Sequence, residues 1–132
     1  MKQNILFLCT GNSCRSQIAE GFAKHLGWDA FSAGTHPEIA VNSNAIKVME
    51  EIGIDISNHK PKSLNLYRTH NFNIVASVCD NAKEVCPVFN GKADSIIHQS
   101  FKDPANTNSS EQEILREFRV VRDLIKLWVD SL

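Results

Sequence analysis

The residues best suited to do chemistry are a cysteine and an arginine near the start of the chain. Cys9 is followed by five residues and then by Arg15 and Ser16. A thiolate is a strong nucleophile, and a guanidinium is a planar, two-pronged donor that fits a tetrahedral oxyanion. The spacing Cys-x5-Arg-Ser therefore predicts a site that binds a phosphate-shaped dianion and attacks its central atom with the Cys9 sulfur.

The flanking sequence predicts the elements that would position this pair. An apolar run over 3–8 predicts a buried strand that ends at Cys9. A helical pattern over 16–26 follows, with one apolar face made of Ile18, Ala19, Phe22, Ala23 and Leu26. The turn between them, residues 10–14, is called the anion loop here. Its N–H groups can converge on one point, and the helix N-terminus adds positive potential that also favours thiolate over thiol.

The anion loop has residue types that suit such a turn. Gly11 and Asn12 tolerate the positive φ that a tight curl of the backbone needs. The candidate substrate-binding residues are Thr10, Gly11, Asn12, Ser13, Cys14, Arg15 and Ser16.

The run from Cys9 to Gln17 resembles the low-molecular-weight protein tyrosine phosphatase superfamily, and more closely the thioredoxin-coupled arsenate reductases built on that fold. The resemblance extends over nearly the whole chain. It implies an α/β fold, a three-layer sandwich with a four-stranded, mainly parallel sheet. We expect residues 1–132 to form one domain of this kind.

The pattern of the remaining chain also predicts an α/β sandwich with a mainly parallel sheet, because its elements alternate as β-α-β-α-β-β-α. The later elements are a strand over 28–32, a helix capped by Asn42 or Ser43, a helical turn over 64–69, strands over 72–78 and 95–98, and a helix that starts at Ser110. Sites in open parallel sheets lie beyond the carboxyl ends of the strands. Cys9, Cys79 and Asp103 each follow a predicted strand, so we expect them to meet.

A second pair of cysteines, Cys79 and Cys86, is separated by six residues. This spacing does not fit a two-residue zinc knuckle or a thioredoxin-like motif, but it allows a disulfide if the segment folds back. Inert cysteines, or a metal site with Cys9 and a histidine, are the alternatives. A rival from another class is a non-catalytic thiol sensor that signals through a Cys79–Cys86 disulfide.

The arsenate reductases that the chain resembles use three thiols in relay. The resemblance implies that Cys9 attacks arsenate and that Cys79 then attacks Cys9, which releases arsenite. Cys86 would next attack Cys79, leaving a redox-active Cys79–Cys86 disulfide for thioredoxin to reduce. Electrons would come from NADPH through thioredoxin reductase, with no bound cofactor. Cys14 receives no redox role, because its backbone matters more than its sulfur.

Asp103-Pro104 matches the Asp-Pro pair that supplies the general acid in this superfamily. A protonated Asp103 would protonate the leaving oxygen as Cys9 attacks. The phosphatase branch typically continues with aromatic residues that hold a phosphotyrosine ring, whereas Ala-Asn-Thr follows here. This absence and the second cysteine pair favour arsenate reduction. The rival activity is hydrolysis of phosphotyrosine or small phosphate esters by Cys9, Arg15 and Asp103.

Some members of the superfamily bind potassium beside the anion loop, through residues that correspond to Asn12, Glu20 and Ser32. The remaining ligand positions hold Lys60 and Lys62, and an ammonium group has no lone pair for a cation. We therefore predict no metal site and expect a lysine to pair with Glu20. Asn12 could brace the anion loop with its side chain or be a plain turn asparagine.

The composition predicts a soluble, cytoplasmic protein. The 132 residues carry a net charge of −1, so no basic excess points to nucleic acid or an anionic membrane. The N-terminal apolar run is too short to span a bilayer. In a reducing cytosol, four cysteines suggest catalytic, redox-active or metal-binding thiols rather than structural disulfides. No long exposed apolar stripe stands out, so we expect a monomer.

Overall fold

The computed structural model describes residues 3–80, 88–105 and 109–132. The elements follow the predicted alternation, with a short 3-10 turn before the third strand. They are β1 (Asn4–Cys9), α1 (Arg15–His25), β2 (Asp29–Gly34), α2 (Ser43–Glu50), the 3-10 turn (Leu64–Tyr67), β3 (Asn71–Ser77), β4 (Lys92–His98) and α3 (Glu111–Asp130). No helix in these described ranges is long and apolar enough to cross a membrane.

The four described strands form one sheet in the order β2-β1-β3-β4, and every neighbouring pair is parallel. A parallel sheet has to be covered on both faces. Alternate residues of β1 do this: Ile5 and Phe7 enter a cluster with the three helices, while Leu6 and Leu8 enter a second cluster with Tyr67. The predicted four-stranded, three-layer sandwich is confirmed.

The helix boundaries are set by capping residues as well as by periodicity. Asn42 caps α2, and its side chain accepts a hydrogen bond of 2.8 Å from the N–H of Asn44. Ser110 caps α3 in the same way, accepting from the N–H of Glu113 at 3.3 Å. The predicted placement of Leu26 on the packed face of α1 is wrong. The helix ends at His25, and Leu26 is 51% exposed.

The strand ends are what position the site. Leu8 pairs with Ser77, and the N–H of Val78 donates to the Leu8 carbonyl at 2.9 Å. Cys9 and Cys79 therefore follow directly from the carboxyl ends of two neighbouring strands. Both are buried, and both belong to the cluster that contains the three helices.

Candidate active site

The anion loop is held by its carbonyl groups. Each carbonyl from residue 10 to 13 accepts a hydrogen bond from a group outside the loop. The pairs are His36 N–H with Thr10 O at 3.0 Å, Glu38 N–H with Gly11 O at 2.9 Å, Gln17 Nε2 with Asn12 O at 3.1 Å, and Asn42 N–H with Ser13 O at 2.9 Å. Because the N–H of a trans peptide lies opposite its carbonyl, these bonds turn the loop's N–H groups toward the inside of the curl.

The curl opens into a cavity of about 410 Å³. Its lining brings together Cys9 and Asp103, two of the three residues that the sequence predicted to meet, and adds Arg15. Cys79, the third of them, is not among the lining residues. The other lining residues are Thr10, Gly11, Ser13, Cys14, His36, Glu38, Ala40, Asn42 and Ala105. The helix α1 begins here, and the side chain of its cap residue Cys14 satisfies none of its first N–H groups. This cavity can receive a tetrahedral oxyanion.

Arg15 lies between the loop and the segment that carries Asp103. Its Nη1 donates to the carbonyl of Phe101 at 3.1 Å, and its Nη2 lies 3.8 Å from Asp103 Oδ2. The Arg15 side chain is 5% exposed, whereas that of Asp103 is 38% exposed. Asp103 Oδ1 also accepts from the N–H of Ala105 at 3.0 Å, which fixes the turn at Pro104. The carboxyl group is held at the mouth of the cavity.

The nucleophile has hydrogen-bond partners of its own. Cys9 Sγ lies 2.9 Å from Ser16 Oγ and accepts from the N–H of Asn12 at 3.3 Å. Asn12 Nδ2 donates to the same Ser16 oxygen at 2.8 Å, so the Ser16 hydroxyl hydrogen is available to the sulfur. Asn12 and Ser16 are fully buried behind the cavity rather than on its lining.

Asn12 braces the anion loop, which decides between the two readings of this residue. It has a φ of 51°, and its Oδ1 accepts from the backbone N–H of Lys62 at 2.8 Å. Of the two residue types that tolerate a positive φ in this loop, Asn12 adopts one and Gly11 does not. A Cβ at position 11 would lie 3.0 Å from Cγ of Glu38, so that exposed side chain would have to shift to admit one.

A buried carboxylate lies behind the loop. Glu20 accepts a hydrogen bond from Ser32 Oγ, and its oxygens lie 2.6 Å from Lys24 Nζ, 3.6 Å from Lys62 Nζ and 3.5 Å from His59 Nδ1. The expected pairing of a lysine with Glu20 is confirmed for Lys62. Sequence reasoning missed Lys24, although its i, i+4 spacing from Glu20 signals the pair.

Gln17 is a second buried residue that the sequence analysis missed. Its amide nitrogen donates to oxygens of Asn12 and Lys60. Its amide oxygen is therefore the acceptor of the 3.0 Å bond from His59 Nδ1, which carries the hydrogen. Burial lowers the pKa of His59 below its ordinary value, and the Glu20 carboxylate opposes this shift. The pattern offered no signal for Gln17 beyond its position in the first turn of α1.

The described cysteines differ in oxidation state. Cys14 is a buried free thiol, and burial raises its pKa to about 12. Cys9 is also free, whereas Cys79 is disulfide-bonded. Cys86 lies outside the described residues. Within residues 3–80, 88–105 and 109–132, no group of three or more His, Cys, Asp or Glu side chains is arranged to hold a metal.

Comparison with known proteins identifies the family. The family described as low molecular weight phosphotyrosine protein phosphatase matches residues 4–132. The chain belongs to this family. The resemblance drawn from the run between Cys9 and Gln17 is confirmed.

Proteins similar to this chain include arsenate reductases as well as a phosphatase. An arsenate reductase of Halalkalibacterium halodurans is 43% identical over 127 residues, which cover 94% of this chain and 90% of the relative. A solved arsenate reductase in the phosphate binding state has a TM-score of 0.81 at 32% identity, covering 98% of this chain and 95% of that one. A low molecular weight protein tyrosine phosphatase from T. tengcongensis has a TM-score of 0.75 at 27% identity, covering 98% and 97%.

Proposed function

We propose that this protein reduces arsenate to arsenite by a three-cysteine relay in which Cys9 is the nucleophile. The observation that carries the proposal is the placement of two cysteines at adjacent strand ends. Cys9 lines the oxyanion cavity, and Cys79 follows the neighbouring strand through the Leu8–Ser77 pair. A phosphatase needs the first of these cysteines but not the second.

The proposed steps balance in atoms and electrons. The Cys9 thiolate forms a sulfur–arsenic bond, and an arsenate oxygen leaves as water after taking a proton from Asp103. Cys79 then attacks the Cys9 sulfur, and the electron pair of the broken sulfur–arsenic bond reduces arsenic(V) to arsenic(III), which leaves as arsenite. Cys86 attacks Cys79 and releases Cys9 as a thiolate. The dithiol of thioredoxin reduces the Cys79–Cys86 disulfide and becomes a disulfide itself.

Three observations support arsenate rather than a phosphotyrosine substrate. Similar proteins that cover most of the chain are named arsenate reductase. Among the described residues, no Phe, Tyr or Trp lines the cavity, so it offers no aromatic surface for a phenyl ring. Tyr67 packs instead against Phe31 and Phe72 in the second buried cluster. The proposed compartment is the cytoplasm, where thioredoxin keeps thiols reduced.

The test is arsenate-dependent NADPH consumption in the presence of thioredoxin and thioredoxin reductase. The wild type should turn over many times, whereas Cys86→Ser should stop after about one arsenite per enzyme, because the Cys9–Cys79 disulfide cannot move on. Hydrolysis of p-nitrophenyl phosphate by both proteins is the internal control for an intact Cys9 site. Sustained arsenate turnover by Cys86→Ser would contradict the relay.

Hydrolysis of small phosphate esters is the second candidate function. The family description and the shared set of Cys9, Arg15 and Asp103 favour it. It would require steady p-nitrophenyl phosphate hydrolysis without arsenate-dependent NADPH consumption. The Cys86→Ser variant would then behave like the wild type.

A further inference from the structure

Glu38 is a carboxylate in an unexpected place, on the lining of the oxyanion cavity. Its backbone N–H is bonded to the carbonyl of Gly11 at 2.9 Å, which fixes it beside the anion loop. Its side chain lies over Gly11. A Cβ placed on Gly11 would be 3.0 Å from Glu38 Cγ and 3.4 Å from Glu38 Oε1. The carboxylate therefore faces the same cavity as Cys9 and Arg15.

The carboxylate of Glu38 has no salt-bridge partner among the residues that the structure describes. Asp103, the other carboxylate on the lining, lies 3.8 Å from the Arg15 guanidinium. An unpaired carboxylate should weaken the binding of every anion in such a site, unless the anion can donate a hydrogen bond to it.

Tetrahedral oxyanions differ in whether they can donate a hydrogen bond to a carboxylate. Arsenate and phosphate keep at least one O–H at neutral pH, whereas sulfate keeps none. An ionised carboxylate can only accept hydrogen bonds. We propose that Glu38 is a specificity-determining residue that accepts the O–H of a protonated oxyanion and thereby selects arsenate or phosphate over sulfate. This inference rests on the proposed function for the identity of the physiological substrate.

Glu38 should produce a moderate preference for protonated oxyanions over sulfate. A buried site that must hydrogen-bond a ligand hydroxyl can reject an analogue without one by a factor of about ten thousand. Glu38 is exposed at the mouth of the cavity, so water can solvate its carboxylate when sulfate is bound. A hydrogen bond to a charged group then corresponds to a preference of roughly tenfold.

The test measures binding by isothermal titration calorimetry in a Cys9→Ser background, which prevents covalent chemistry. The probes are phosphate, sulfate and monofluorophosphate, the last being a dianion that is shaped like hydrogen phosphate but has no O–H. The parent should bind phosphate about tenfold more tightly than the other two. Glu38→Gln should reduce this ratio to near one by tightening sulfate and monofluorophosphate. Glu50→Gln, which removes an exposed carboxylate from α2, should leave the ratio unchanged.

Two results from the Glu38→Gln variant would overturn the inference. One is an unchanged ratio in Glu38→Gln. The other is an equal gain in affinity for all three anions, which would show general repulsion without selection. Absence of phosphate binding by the parent would also overturn it. Because the readout is binding, failure of arsenate turnover alone would refute the proposed function and leave the preference for protonated oxyanions standing.

Discussion

The side chain of Asn12 is the structural link between the anion loop and the buried Glu20 cluster, and Asn12→Gly tests that link. Its side chain makes four hydrogen bonds: two donated by Nδ2 to Ser16 and Ser32, and two accepted by Oδ1 from Gln17 and Lys62. Glycine adopts a φ of 51° without strain. The substitution therefore removes the side-chain bonds and leaves the backbone conformation accessible.

The expected loss of stability in Asn12→Gly depends on which hydrogen bonds the partners of Asn12 keep. The hydroxyls of Ser16 and Ser32 keep contacts with Cys9 and Glu20. The backbone N–H of Lys62 loses its acceptor, and an unsatisfied, partly buried donor costs about 1–3 kcal/mol. With a smaller contribution from the two hydroxyls, the free energy of unfolding should fall by about 2–4 kcal/mol.

The assay is urea denaturation followed by circular dichroism, with Asn58→Gly as the control for the added chain entropy of glycine. Asn58 is an exposed asparagine in the 57–63 loop. Asn12→Gly should also slow p-nitrophenyl phosphate hydrolysis, since Ser16 loses the amide that orients it toward the Cys9 sulfur. A loss of stability within about 0.5 kcal/mol of the control would refute the bracing role, because substitutions at exposed positions usually change the free energy of unfolding by no more than that amount.

Other perturbations test separate parts of the structure. Gly34→Ala should destabilise the fold by more than about 3 kcal/mol, because the new Cβ would lie 2.4 Å from the carbonyl oxygen of Thr10; a melting temperature close to that of the wild type would contradict the close approach. Burial lowers the pKa of His59 from 6.5, so the unfolded chain takes up its proton first. The contribution of neutral His59 to the free energy of unfolding should therefore be fully present above pH 6.5 and should decrease as the pH falls below that value. His59→Gln should flatten this decline, and an identical pH dependence of urea midpoints in the two proteins would exclude His59 as its source. Potassium should have no more effect than sodium on melting temperature or activity, because Lys24 and Lys62 already neutralise Glu20; a potassium-specific increase would show that a cation site exists.

The sequence predicted the parts of the site that follow from short-range patterns of residues. Strand ends and the Cys-x5-Arg spacing are short-range features, and Cys9, Arg15 and Asp103 do line one cavity. Leu26 shows the limit of periodicity, because the apolar repeat extends one residue beyond His25, the last residue of α1, to a cap residue that is exposed. A helical repeat alone does not mark such an end.

The bracing of the loop could not be predicted because its partners are distant in sequence. Asn12 bonds Ser32 and Lys62, which are 20 and 50 positions away, so only the folded chain decides between a brace and a plain turn residue. The contact between Glu38 and Gly11 is a further example, because these two residues are also distant in sequence.

The three-cysteine relay can be tested by mapping the disulfides after a single arsenate turnover without thioredoxin. The reduced protein is mixed with one equivalent of arsenate, quenched with a thiol-alkylating reagent and digested for mass spectrometry. The relay predicts one arsenite per enzyme, a Cys79–Cys86 disulfide in the wild type and a Cys9–Cys79 disulfide in Cys86→Ser. Arsenite formed with Cys79 fully alkylated, or no arsenite at all, would contradict it.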